Sequence, residues 1–157
     1  MLARDGLRYA LRMPRRPAAV HEVVRFNIEH WNIEFLAHRD ATKESSERMV
    51  VKMRGSLLSQ TRWRRAKAVR LTIWADLSAP DGSLPEHAVG AVLGIHGGEL
   101  TATVFLRPAS VSLLLQGVAA GRVSVCTLAV EVGERGKGAI TLFVADDGST
   151  EDGDETN

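Results

Sequence analysis

Apolar and polar positions alternate along most of this chain, and the phase of the alternation slips at identifiable points. Between His21 and Ala37, Val24, Phe26 and Ile28 alternate with Arg25, Asn27 and Glu29. Trp31, Ile33 and Phe35 then alternate with Asn32 and Glu34. Period two with one extra residue at His30–Trp31 predicts a strand with a β-bulge, or two strands meeting at a bend. A helix competes, because Val20, Val24, Ile28, Trp31 and Phe35 also share a helical face, but the β-branched and aromatic content favours strand. Arg39 to Arg48 is polar and reads as a loop. Met49, Val51 and Met53 alternate with Arg48, Val50, Lys52 and Arg54, which predicts another strand. The rival there is a helix capped near Thr42 with Glu44 and Glu47 in its first turns, and Gly55 weakens both readings. From Lys67 to Leu77 the pattern is clear. Val69, Leu71, Ile73, Ala75 and Leu77 face one way, and Arg70, Thr72, Trp74 and Asp76 the other. Ser78 to Glu86 holds Pro80, Asp81, Gly82 and Pro85 and is a loop by its turn chemistry.

The second half predicts strand, strand, short helix, strand, strand. His87 to Ile95 and Glu99 to Leu106 flank His96-Gly97-Gly98, and paired glycines supply the positive φ of a tight hairpin. Pro108 ends that strand. Ser110 can cap a helix in which Val111, Leu114, Leu115 and Val118 share a face, and Gly121 can stop it in a left-handed position. Arg122 to Val132 and Ala139 to Ala145 are strands on either side of the loop Gly133–Gly138. The fold class that follows is α+β, a mainly antiparallel β-sheet system (a sandwich or a partly open barrel) with one short helix near 110–120.

The chain divides into a basic leader (1–20), one β-rich domain (21–145) and an acidic tail (146–157). The tail has six acids in 12 residues and no apolar anchor, so it is expected to be disordered. Met13 is an alternative start that would shorten the leader. Charge sharpens this division. Residues 1–70 carry 16 Lys and Arg against 7 Asp and Glu; residues 71–157 carry 4 against 12. The halves compensate to a net +1. Such asymmetry points to a partner, a self-contact or a tail that folds over the basic half. No apolar run approaches the roughly 18 residues of a membrane-spanning helix. The single cysteine, Cys126, cannot form an intramolecular disulfide, which fits a reducing compartment such as the cytoplasm.

Motifs for catalysis or cofactors are absent or incomplete. Gly133–Gly138 resembles a phosphate loop, but Lys137 is followed by Gly138 and a strand, so a hairpin turn is the better reading. His21-Glu22 begins a zinc-protease motif, but Arg25 stands where the second histidine belongs. The five histidines have no metal spacing. Cys126 shares an apolar face with Leu128, Val130 and Val132, as a buried, inert thiol would. No cofactor is expected.

One constellation combines cations with aromatic rings: Arg62, Trp63, Arg64, Arg65, Lys67, Arg70 and Trp74. Cations neutralise phosphates and rings stack on bases, and Arg70, Thr72 and Trp74 share the non-core face of their strand. Arg48, Lys52 and Arg54 extend that patch if their strand is adjacent. The same residues also read as a solvated basic face, with Trp63 or Trp74 packed under a loop or in an oligomer contact. Three functions follow. The first is a non-catalytic β-rich interaction module acting through charged surfaces, with a protein partner or a second copy of itself. The second is a nucleic-acid-binding domain using Arg62–Trp74. The third is an enzyme whose site is assembled across strands. The charge asymmetry favours the first.

Overall fold

The computed structural model describes residues 19–39, 41–42, 45–78 and 89–149. Its strands are β1 (Val20–Asn27), β2 (His30–Arg39), β3 (Ser45–Ser56), β4 (Ala68–Asp76), β5 (Gly90–His96), β6 (Glu99–Phe105), β7 (Val125–Val132) and β8 (Gly138–Asp146). One helix, α1 (Pro108–Ala119), lies between β6 and β7. All eight strands join one sheet in the order β1-β7-β8-β5-β6-β4-β3-β2. Every pairing is antiparallel except β4 with β6. The expected mainly antiparallel α+β fold is therefore what forms.

The ends of this sheet are linked by only Ile28 and Glu29, which forces it to curl. Leu58 N–H donates to Arg25 O at 2.9 Å, and Phe26 faces Leu57 in an isolated bridge. The far end of β3 thus reaches β1 at one corner of the open sheet. The phase slip read from the sequence lies at this corner. Phe26 is opposite Leu57, yet His30 is opposite Arg54. Four positions along β1–β2 therefore match three along β3, which is the extra residue of a bulge. Gly55 explains itself here as well, since a Cβ on it would lie 1.4 Å from Asn27 O. Only a glycine lets β3 pass that close to the corner.

The core fills the inside of the curl. Val24 and Phe26 of β1, Val51 and Met53 of β3, Leu71 and Ile73 of β4, and Leu128 and Val130 of β7 are fully buried or nearly so. Val111 and Leu114 of α1 are also buried, and Leu115 and Val118 pack against the same cluster. The helix boundaries match the apolar spacing, but the cap does not. Arg107 is the N-cap without a side-chain hydrogen bond, Pro108 opens the helix and Ser110 lies inside its first turn. Gly121 does adopt the left-handed conformation at φ 70° and ends the helix. Gly97 and Gly98, at φ 57° and 78°, make the β5–β6 turn. The Gly133–Gly138 segment is the turn of the β7–β8 hairpin, with a single 3-10 turn at Glu134–Gly136.

The polar stretch 39–48, expected as a loop, is ladder at Arg39 and Ser45–Arg48. Leu36 pairs with Arg48, Ala37 with Glu47 and Arg39 with Ser45. Ladder bonds are made by the backbone, and a ribbon wet on both faces does not need alternating side chains. At the acidic end β8 runs to Asp146, whose carbonyl accepts from Ser124 N–H at 2.8 Å. Asp147 takes hydrogen bonds from the Ser149 hydroxyl and N–H, which hold its carboxyl below the ordinary value. The rest of the expected tail, 150–157, the leader to residue 18 and most of the 78–86 loop lie outside the described residues.

Candidate interaction surface

The register settles which side chains share the outer face of the sheet. Arg54 of β3 is opposite Arg70 of β4, Lys52 opposite Thr72, Val50 opposite Trp74 and Arg48 opposite Asp76. On the other side of β4, Arg70 neighbours Thr101, Thr72 neighbours Thr103 and Trp74 neighbours Phe105. Cross-strand neighbours point to the same face. The strand carrying Arg48, Lys52 and Arg54 is therefore adjacent to that of Arg70 and Trp74, and the two sets form one surface. Trp74 lies between Phe105 and a buried Val50 at one end of it.

Acids temper this face. Glu99, whose side chain is 11% exposed, meets Arg70 Nη2 at 2.8 Å and also contacts Arg54 Nε. Lys52 Nζ reaches Glu34 of β2 at 2.7 Å. Asp76 stands opposite Arg48. Three of the four cations in the β3–β4 rows therefore have an acid within ion-pair distance. A carboxylate between two guanidinium groups fixes both, at the expense of the net field a phosphate would feel.

The remaining predicted residues are elsewhere. Arg62, Arg64, Arg65 and Lys67 are exposed on the β3–β4 connection. Arg62 N–H bonds Glu22 Oε1 at 3.2 Å, and Lys67 N–H bonds Gly98 O at 2.9 Å. Arg64 and Lys67 line an open cleft with Leu57, Thr61 and Trp63. Trp63 itself is buried. Its indole Nε1 donates to Gly136 O at 2.8 Å, tying the connection to the β7–β8 turn. It packs under a loop and offers no free ring face to a base. Of the two tryptophans in the predicted constellation, only Trp74 remains on the surface, four residues along β4 from Arg70.

The largest unsatisfied feature is β2, which sequence reasoning did not single out. Every residue of β2 except the half-buried Glu34 is exposed, on both faces. One edge pairs with β3; no described residue pairs with the other. Trp31, Ile33 and Phe35 stand opposite Met53, Val51 and Met49, so they continue the inner, core-lining rows of the sheet past the core. Phe35 is 70% exposed, Trp31 39% and Ile33 38%. The alternation of β2 was legible, but its position at the end of the ladder depends on strand order. By contrast, the second edge of β1 is met by Leu57 and Leu58.

Chemistry elsewhere is sparse. Cys126 is fully buried; burial, helped by the nearby Asp146 charge, pushes its thiol up to about 12. A neutral, inaccessible thiol is a poor nucleophile. Among the described residues no group of three or more His, Cys, Asp or Glu could hold a metal ion. No described helix is long and apolar enough to cross a membrane. No known protein family, curated protein or solved structure matches the chain.

Proposed function

We propose that this chain is a β-rich interaction module, working by surface complementarity with a protein partner in a reducing compartment such as the cytoplasm. The observation that supports it is the outward edge of β2, which no described residue pairs with. A long strand with an open edge and a row of exposed apolar residues is a template for another strand, and proteins normally blunt such edges with proline, bulges or inward charges. Between Trp31 and Ala37, β2 carries none of these. Main-chain hydrogen bonds to an added strand would supply affinity, and the Trp31, Ile33 and Phe35 side chains would supply selection. The basic half and the acidic second half add long-range charge to the encounter.

Nucleic-acid binding is the second reading, favoured by one observation: Trp74 and Phe105 lie beside Thr72 and Arg70 on an open sheet face. Tryptophan fluorescence during titration with mixed-sequence single-stranded DNA and RNA separates the two. The emission reports the exposed Trp31 and the half-buried Trp74 over the buried Trp63. The module reading expects no change at low salt. Quenching that weakens steeply with salt, and is abolished by Trp74→Ala, would replace it with the nucleic-acid reading.

A further inference from the structure

We infer that the strand that covers β2 is the β2 of a second copy, paired antiparallel about Ile33. The inference rests on the interaction-module reading and names its partner. Two-fold related strands must meet in an antiparallel register that maps onto itself, so each candidate register is defined by the residue or gap at its centre. About Ile33, Trp31 faces the second copy's Phe35, Ile33 faces Ile33, and Phe35 faces Trp31. The aromatic–aliphatic–aromatic row is its own complement on the inner face. On the outer face Asn32 meets Glu34 in both directions, an amide against a carboxylate, and His30 meets Leu36. No like charges stand opposite one another.

Neighbouring registers are worse. Centring on Glu34 sets that carboxylate against itself, and directly opposed like charges destabilise a strand pair. Centring on Phe35 sets Ile33 against Ala37 and leaves Trp31 opposite Arg39, which breaks up the apolar row. A shift that centres the pair between Glu34 and Phe35 puts both aromatic residues opposite polar ones, since Trp31 then meets His38 and Phe35 meets Glu34. Only the Ile33 register keeps both aromatic residues on apolar neighbours without setting like charges against one another.

The geometry permits this contact and limits its strength. The second edge of β1 is met at Arg25 and Phe26 by Leu58 and Leu57, whereas no described residue pairs with the outward edge of β2. Joining there lets both sheets continue across a two-fold axis, with the Trp31–Ile33–Phe35 rows side by side. At the exposures of Trp31, Ile33 and Phe35, each copy contributes roughly 300 Å² of apolar side-chain surface. That is well below the roughly 800 Å² per partner of a standard interface, so the dimer constant is expected on the order of micromolar.

Sedimentation of the full chain from about 1 to about 200 µM, a range bracketing that constant, is the test. The mass should rise from monomer to dimer with concentration. Phe35→Arg, at a mostly exposed position where folding is least at risk, should raise the dissociation constant about tenfold or more. Register is read by cross-linking under oxidised glutathione. Opposed residues of antiparallel strands have Cα atoms about 4.5–5.5 Å apart, within disulfide reach. Ile33→Cys should link to itself. Trp31→Cys should link to a Phe35→Cys chain and not to itself, with the buried Cys126 silent. A monomer at every concentration overturns self-pairing and leaves the module reading to be judged by the oligonucleotide titration. A dimer that Phe35→Arg leaves intact, or that links Trp31→Cys to itself, also overturns it.

Discussion

Replacing Gly55 with alanine should open the corner at which the sheet closes. A Cβ at residue 55 would fall 1.4 Å from Asn27 O, 2.6 Å from Asn27 C and 3.3 Å from Phe26 Cδ2. The first two obstacles are backbone, so no rotamer change relieves them. The β1–β2 bend must withdraw from β3. Withdrawal strains the Glu29 N–H bond to Arg54 O at 3.0 Å and the Leu58 N–H bond to Arg25 O at 2.9 Å. It also disturbs Phe26, which is fully buried. Overpacking costs about 1–3 kcal/mol, and each weakened hydrogen bond about 0.5–1.5 kcal/mol. The expected loss is about 3–5 kcal/mol, a large part of the ~5–15 kcal/mol that holds a domain folded. Urea unfolding followed by circular dichroism measures it. Gly133→Ala is the control: its φ is −100° and its Cβ would meet only Lys137 O at 3.5 Å. That variant should stay within about 0.5 kcal/mol of the parent. A Gly55→Ala loss below about 1 kcal/mol would refute the closure as described.

Three further outcomes follow from single contacts. Trp63→Phe removes the indole bond to Gly136 O and should cost about 1–2 kcal/mol in urea unfolding, with the β7–β8 turn loosening in amide exchange. Glu99→Gln leaves Arg54 and Arg70 without their shared carboxylate; because both arginines are more than half exposed, the loss should be only about 1–2 kcal/mol by the same assay. The Cys126 thiol ionises at about 12 in the fold against an ordinary 9.0, so above pH 9 the unfolded chain releases a proton that the folded chain keeps. Stability should therefore fall as pH rises from about 9 toward 12, by up to about 1.4 kcal/mol per unit from this group. Unfolding at a series of alkaline pH values should show a shallower slope for Cys126→Ala.

Strand identity was legible wherever side chains alternate against one core. Val69 to Ala75 and the pair Gly97–Gly98 declared β4 and the β5–β6 hairpin, and the phase slip near His30 marked the bend between β1 and β2. Two kinds of feature were not legible. Ladder pairing at Arg39 and Ser45–Arg48 is a backbone event on a ribbon wet on both faces, so it leaves no periodic signal. Strand order is set by tertiary packing, and order decides everything about the surface. It brought Lys52 and Arg54 beside Arg70, as the basic-patch reading required. It also brought Glu99 between them and turned Trp63 under the β7–β8 turn, where the run Arg62–Lys67 looked like a continuous binding strip. It left β2 at the end of the ladder, which no local pattern announces. The helix start was misread for a simpler reason. Ser110 is a good cap by type, but Pro108 is pre-organised for the first helical position and begins the helix earlier.

In the proposed assembly the outward edge of β2 is covered by the β2 of a second copy. Amide hydrogen exchange of the full chain, compared between dilute and concentrated solution, tests it most directly. Half of the β2 amides point away from β3 and exchange quickly unless another strand accepts from them. Outward amides between His30 and Leu36 should slow markedly on concentration, while those of β1 and β7 should not change. Equal exchange of β2 at both concentrations would contradict it.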